Sequence, residues 1–171
     1  MEIKELVLNG NVIPGYYIRN DGQLFSTRAY MKGVNRFTSH DKNLVCYGSE
    51  LREVKGTRYQ KYTHYCIGKK FTYRENDGGL DRKGFKVLAH RAVMETFSPF
   101  EDNLPDDLID EWPKLSKIVK KYIKNGMTVD HINPNLKEGF NSLFNLQWMT
   151  LSENSSKSDR EPNALEKLLW N

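Results

Sequence analysis

The stretch from Met127 to Asn154 constrains this chain more than any other. It runs from a short strand candidate, Met127–His131, through a polar loop containing Asn133-Pro134-Asn135, into Asn145-Leu146-Gln147-Trp148-Met149-Thr150. Leu146 and Trp148 alternate with Gln147 and Met149, the two-residue period of a strand that lays one face on a core. Thr150-Leu151-Ser152-Glu153 then fits a capping box, in which hydroxyl and carboxylate each accept the other residue's backbone N–H, and this sets a helix start at about Leu151. Strand, loop, strand and helix in so short a span read as a ββα unit.

Chemistry concentrates at the ends of those elements. Asp130 offers an anionic oxygen for a divalent cation, and His131 beside it offers a neutral imidazole that can take a proton from water. Adjacent strand residues face opposite ways, so the two can serve one site only at a strand end or a bend, which the Asn133-Pro134-Asn135 turn supplies. Asn145, where the loop rejoins the second strand, can donate and accept at once and so tie the loop down. Asn154 falls in the first turn of the helix, where its carbonyl oxygen can reach a cation held by Asp130. Taken singly, each has a plain structural reading: a salt bridge or turn for Asp130-His131, a turn residue for Asn145, a helix start for Thr150–Asn154. Their joint order is what points to a phosphodiesterase.

The first half reads as β-structure. Tyr16–Arg19 and Gln23–Ser26 flank Asn20-Asp21-Gly22, a hairpin signal. Further strand candidates are Asn43–Tyr47, Tyr62–Ile67 and Phe85–Leu88, punctuated by glycines. Cations and aromatic rings interleave here, and Arg19, Arg28, Lys32, Arg36, Arg58 and Lys61 are the candidates for DNA contacts. A sheet with a solvated basic face and an aromatic core accounts for the same pattern. At residue 89 the period changes: Ala89, Val93 and Phe97 share a helical stripe that Ser98-Pro99 ends. His90 and Arg91, at the start of this helix, either approach the phosphate or pack beside the sheet. Residues 99–126 read as an insertion with an acidic stretch and one amphipathic helix, in which Leu115, Ile118, Val119 and Tyr122 oppose a set of lysines. The tail carries Leu165, Leu168, Leu169 and Trp170 and reads as a packed helix or a partner-binding end.

Composition bounds the partners. The formal net charge of +4, with 26 Lys and Arg against 22 Asp and Glu, fits a polyanion without requiring one. No apolar run approaches the roughly 20 residues that span a bilayer, and the N-terminus lacks a signal-peptide pattern, so no membrane association and an intracellular location are expected. Cys46 and Cys66 form no C-x-x-C pair, so the expectation is two reduced thiols in partly buried strands, with no disulfide framework or zinc ribbon.

The matching residues His90-Arg91 with Phe97, Val129-Asp130-His131, Asn145–Thr150 and Asn154, preceded by Tyr17–Ser26, resemble the HNH endonuclease family, in particular its phage and intron-encoded homing type. The resemblance implies an α+β fold: a β-rich DNA-binding part over 1–88, a ββα-metal (HNH) nuclease core over 89–156 with the insertion at 99–126, and a tail at 157–171. It implies His131 as general base, Asn145 ordering the catalytic loop, Asp130 and Asn154 as ligands of one Mg²⁺ (or Mn²⁺), double-stranded DNA as substrate and 5′-phosphate products. It also implies a phage-encoded protein working in a host cytoplasm, as a monomer or weak dimer, possible as a nickase because one site cuts one strand per visit. Asparagine at 154, where the family often has histidine, matches an H-N-N subgroup. The zinc-binding cysteine pairs of some relatives are missing, so no structural zinc is implied. Two other classes stay open: a DNA-binding module without catalysis, and a partner-binding protein using the acidic insertion and the Leu/Trp tail.

Overall fold

The computed structural model describes residues 1–30, 45–68, 72–73, 80–81 and 84–157. The chain begins with β1 (Ile3–Leu8), β2 (Asn11–Arg19), β3 (Leu24–Tyr30) and β4 (Val45–Glu53), an antiparallel sheet in that order. Next come β5 (Thr57–Tyr59), β6 (Tyr62–Gly68), the short pair β7 (Thr72–Tyr73) and β8 (Leu80–Asp81), and β9 (Gly84–Leu88). Strands β5, β6 and β9 form a second antiparallel sheet. Helix α1 (Ala89–Phe97) follows β9 directly; α2 (Asp106–Ile109) and α3 (Lys117–Asn125) lie in the insertion. Strand β10 (Met127–His131), strand β11 (Leu146–Thr150) and helix α4 (Leu151–Lys157) close the described chain. The fold is α+β, built on small antiparallel sheets.

The Asn20-Asp21-Gly22 turn joins β2 to β3, with Ile18 opposite Leu24. Arg19 grips Asp21 through two parallel hydrogen bonds, Nε to Oδ1 at 2.9 Å and Nη2 to Oδ2 at 2.7 Å, and Gln23 N–H donates to Asp21 Oδ1 at 3.1 Å. Burial alone would raise the Asp21 carboxyl, but the Arg19 bond and the Gln23 N–H hold it below its ordinary value. Strand β1 was not among the sequence candidates: Lys4 and Glu5 interrupt its apolar alternation, and only Leu6 and Leu8 turn inward.

Helix α1 is the hub. It packs on β1, β2, β6, β9, β10 and β11, because Ala89, Ala92, Val93 and Met94 are all buried and the small alanines let the neighbours approach. One cluster of buried residues therefore draws on the N-terminal sheet (Leu6, Ile18, Leu24), the second sheet (Tyr65, Ile67, Val87), α1 and the C-terminal pair (Val129, Leu146). Each fully buried aliphatic side chain here contributes roughly 1.5–3 kcal/mol of transfer free energy.

The insertion is held by aromatic rings rather than by α3. Phe100 meets Trp112 and Trp148 edge to face at centroid distances of 5.7 and 5.8 Å, and Trp148 Nε1 donates to Ser98 O at 2.8 Å. Helix α3 itself, capped by Ser116 Oγ, buries no residue: Ile118 and Tyr122 are each 81% exposed. Among the described residues, none covers the exposed Ile118 and Tyr122 of that pattern. Cys66 also departs from expectation. It is exposed, because Tyr65 and Ile67 take the inward positions of β6. Cys46 falls in β4, Lys32, Arg36 and Leu165–Trp170 lie outside the described residues, and no described helix is long and apolar enough to cross a membrane.

The first hairpin is locked onto the C-terminal loop. Leu143 N–H donates to Asn20 O at 2.9 Å, and Tyr65 OH donates to Gly22 O at 2.8 Å. Gly22 sits at φ +94°, and a Cβ there would lie 2.7 Å from Asn141 Cβ. Gly10 also has positive φ (+74°) but nothing within 4 Å of its Cβ position. Gly10→Ala is expected to lose about 1–2 kcal/mol from backbone strain alone, and Gly22→Ala a further ~1–3 kcal/mol from the collision. Equal losses for the two variants in urea unfolding would show that the hairpin does not press on the loop.

Candidate functional site

Strands β10 and β11 pair in the register Val129 opposite Trp148, Asp130 opposite Gln147 and His131 opposite Leu146. Leu146 and Val129 face the core, so His131 joins their side of the ribbon and is only 3% exposed, while Asp130 and Gln147 take the other face. His131 ends its strand, and there both side chains reach one cavity of about 340 Å³, lined also by Tyr62, His90, Thr128 and Asn154. The strand-end geometry resolves the facing problem for Asp130 and His131.

The loop between the strands is closed by Asn145, which is 3% exposed. Its Oδ1 accepts from Asn133 N–H at 2.8 Å, and its Nδ2 donates to Asn133 O at 3.2 Å and to Phe140 O at 3.0 Å. Its backbone oxygen accepts from Ile132 N–H at 2.8 Å. The side chain thus ties both ends of the loop, and its hydrogen bonds go to the backbone of Asn133 and Phe140.

This loop delivers two residues to His131 that its sequence did not single out. Phe140 stacks on the imidazole, with centroids 3.8 Å apart and planes at 11°. Asn141 Oδ1 lies 3.2 Å from His131 Nε2. An amide oxygen only accepts, so with this placement Nε2 carries the hydrogen and Nδ1 keeps the lone pair. Burial pushes His131 below its ordinary value; the Asn141 bond and the Asp130 charge oppose this, while the Lys61 and Lys157 cations reinforce it. A neutral imidazole with a defined tautomer results.

His90 lies edge to face with His131 at 4.9 Å, and Tyr62 packs against both rings, at 5.5 Å from His90 and 5.8 Å from His131. His90 is buried, and among the described residues its Nδ1 has no hydrogen-bond partner. Burial first, then the neighbouring His131 and Arg91 charges, press its value down to about 3.

Helix α4 starts with the capping box: Glu153 N–H donates to Thr150 Oγ1 at 3.2 Å and Thr150 N–H to Glu153 Oε2 at 2.8 Å. Those bonds fix the helix directly behind β11 and bring Asn154 to the cavity. Its last residue, Lys157, is buried and ion-paired to Asp130 Oδ2. The helical spacing of Asn154 and Lys157, three residues apart on one face, was the signal available for it.

The site gathers Asp130, His131, Asn154 and His90, with Asn145 behind them. It does not gather the basic residues of the N-terminal half. Arg19 is committed to Asp21, Arg58 Nε donates to Gln60 O at 3.3 Å on an exposed hairpin, and Arg91 pairs with Glu95 at 2.6 Å on the far side of α1's cavity-facing residue. Lys61 lies over the Tyr62 ring at 5.8 Å, which places a cation at the rim of the site. Arg28 falls in β3. Among the described residues no group of three or more His, Cys, Asp and Glu could hold a metal ion, so one carboxylate and one amide oxygen are the hard donors here. Comparison with protein-family models, with curated proteins and with solved structures gave no match.

Two outcomes follow from this geometry. Asn145→Ala leaves Asn133 N–H and two carbonyls without partners and is expected to lower stability by about 1–3 kcal/mol. Unchanged stability with lost activity would instead assign Asn145 a direct role in the chemistry. For His90, the folded-state value near 3 lies below the ordinary 6.5, so its contribution to stability is complete above pH 6.5 and is lost as pH falls from there toward 3. Unfolding free energy should drop by up to ~1.4 kcal/mol per pH unit in that window, and His90→Gln should flatten the slope; a profile level from pH 7 to pH 4 would contradict the buried neutral histidine.

Proposed function

We propose that this chain is a metal-dependent DNA endonuclease of the HNH (ββα-metal) kind. The observation that carries the reading is the convergence of Asp130, His131 and Asn154 on one cavity, at the end of a strand pair that runs straight into a capped helix. The donor set fits a hard divalent cation. Asp130 and Asn154, a carboxylate and a carboxamide, both line the cavity, and Mg²⁺ ordinarily keeps several waters and takes the rest of its shell from substrate phosphate.

In this reading Asp130 and Asn154 hold one Mg²⁺ (or Mn²⁺), whose chemistry is to polarise the scissile phosphate and stabilise charge on the departing oxygen. His131 is the general base. Asn141 keeps the hydrogen on Nε2, which leaves Nδ1 to take the proton from the attacking water. Phe140 and Tyr62 enclose the ring and exclude bulk water, so the imidazole stays neutral and in place. Asn145 holds the loop that carries Phe140. Lys61, at the rim, supplies positive charge for the DNA backbone. One base and one metal cut one strand at a time, which favours a monomer that nicks. A homing-type, phage-encoded role rests on the sequence resemblance.

The test is cleavage of supercoiled plasmid carrying the neighbouring genomic region, with Mg²⁺, Mn²⁺ or EDTA. Wild type should relax or linearise it only with metal. His131→Ala should retain DNA binding and lose about 10²–10⁴-fold in rate, the usual worth of a general base. Asn141→Ala, which frees the tautomer, should lose about 10–10²-fold. His131→Ala within threefold of wild type would remove His131 from the role of base. A folded wild type that binds the plasmid and never cuts it would support the DNA-binding module instead.

A further inference from the structure

The cavity has a cation already built beside it. Lys157 is 6% exposed, which is rare for a lysine without partners, and its Nζ has three acceptors: Asp130 Oδ2, His131 O at 2.6 Å and Ile132 O at 3.4 Å. Three N–H groups therefore meet three oxygens, the arrangement that satisfies a buried ammonium. Gln147 Nε2 donates to the same Asp130 Oδ2 at 3.3 Å. Both donors thus use Oδ2, and among the described residues none reaches Oδ1. Asp130 and Asn154 line the cavity whereas Lys157 does not. The ammonium, itself outside the cavity lining, meets the carboxylate through Oδ2 and leaves Oδ1 without a donor among the described residues.

Resting on the endonuclease reading, we propose that Lys157 is a positioning residue that clamps Asp130 and α4 in one geometry and whose charge keeps a divalent ion weakly held until a DNA phosphate enters. The clamp follows from connectivity. Lys157 and Asn154 are one turn apart on α4, so anchoring Lys157 to Asp130 and to the carbonyls that end β10 also sets where Asn154 stands relative to Asp130. The charge effect follows from the ion pair. Asp130 contributes −1 and Lys157, bonded to it, +1, while Asn154 is neutral, so the paired carboxylate offers a bare dication little net attraction. A phosphate diester supplies the missing negative charge together with oxygen ligands, so metal and DNA bind in mutual dependence. An ammonium this near a dication repels it strongly at the effective dielectric of a protein site.

The experiment is titration of the free, full-length protein with Mn²⁺ alone, following the fraction of free ion by electron paramagnetic resonance, on wild type, Lys157→Met, Lys157→Gln and Asp130→Asn, each checked for folding by circular dichroism. Wild type should bind with a dissociation constant on the order of millimolar. Either Lys157 variant should bind about tenfold tighter or more, although it loses the clamp, and a purely structural lysine would give the opposite sign. Asp130→Asn should abolish binding. Folded Lys157 variants that bind no tighter than wild type, with Asp130→Asn still abolishing binding, would overturn the role of Lys157 and leave the metal site standing. Mn²⁺ binding that ignores Asp130→Asn would overturn the metal site itself, and the inference with it. Should both Lys157 variants fail to fold, the wild type decides: micromolar affinity overturns the proposal and millimolar affinity supports it.

Discussion

The site depends on a buried carboxamide that touches no reacting group. Asn145 bonds to the backbone of Asn133 on one side of the loop and of Phe140 on the other. A fourteen-residue detour between β10 and β11 would otherwise leave the strand ends joined by a floppy connection, and loop closure alone gives no particular shape. With both ends pinned, Phe140 and Asn141 reach His131 from a fixed direction. The same loop donates a hydrogen bond from Leu143 N–H to Asn20 O, so the hairpin near the N-terminus is fastened to the loop that meets His131. The close approach of Gly22 to Asn141 makes that junction a tight one.

Helix α1 turns these local contacts into one body. Its buried face meets both sheets and the β10–β11 pair, so the strands that carry arginines and lysines and the strands that carry Asp130 and His131 share a core. His90, second residue of α1, sits among that packing and edges onto His131. Its burial without a partner for Nδ1 is costly, since an unpaired polar atom gives up its hydration. What the position supplies in exchange is a second ring packed edge to face against His131.

The parts legible in the sequence were those with a period or a box. The β10–β11 pair, α1 and the start of α4 follow from alternation, a helical stripe and a capping box, each a local pattern with one geometric solution. Asn145 as the loop tie was legible for a similar reason, because a donor–acceptor side chain at a loop's return has few other uses. Asn141 and Phe140 were not, since they lie in irregular chain whose direction is set by contacts with residues far away in sequence. Arg19 shows a local partner that the basic, aromatic pattern did not announce: Asp21 two residues later holds its guanidinium in a fork. The acidic insertion was read as one amphipathic helix, and the helix is there; what holds the insertion is the Phe100, Trp112 and Trp148 rings, whose spacing along the chain has no period to reveal it.

The electrostatics of the pocket run against the protein's overall balance. The chain is basic, at +4, and its rim carries Lys61, but the pocket wall is neutral in sum, with one carboxylate matched by one buried ammonium and two histidines held uncharged. A site with several carboxylates would hold its metal tightly and would also repel the phosphate that must come next to it. A site with one carboxylate and a resident cation would avoid that repulsion, and on the proposed reading the Lys61 cation beside Tyr62 would add positive charge near the cavity for a DNA backbone. The same neutrality keeps His131 uncharged: a stronger negative potential beside the ring would raise its proton affinity and fill the lone pair that a base needs, whereas burial and the nearby Lys61 and Lys157 charges hold it open. On the proposed reading, balancing Asp130 through Oδ2 from a lysine outside the cavity lining would let one carboxylate serve a metal while the base stays neutral.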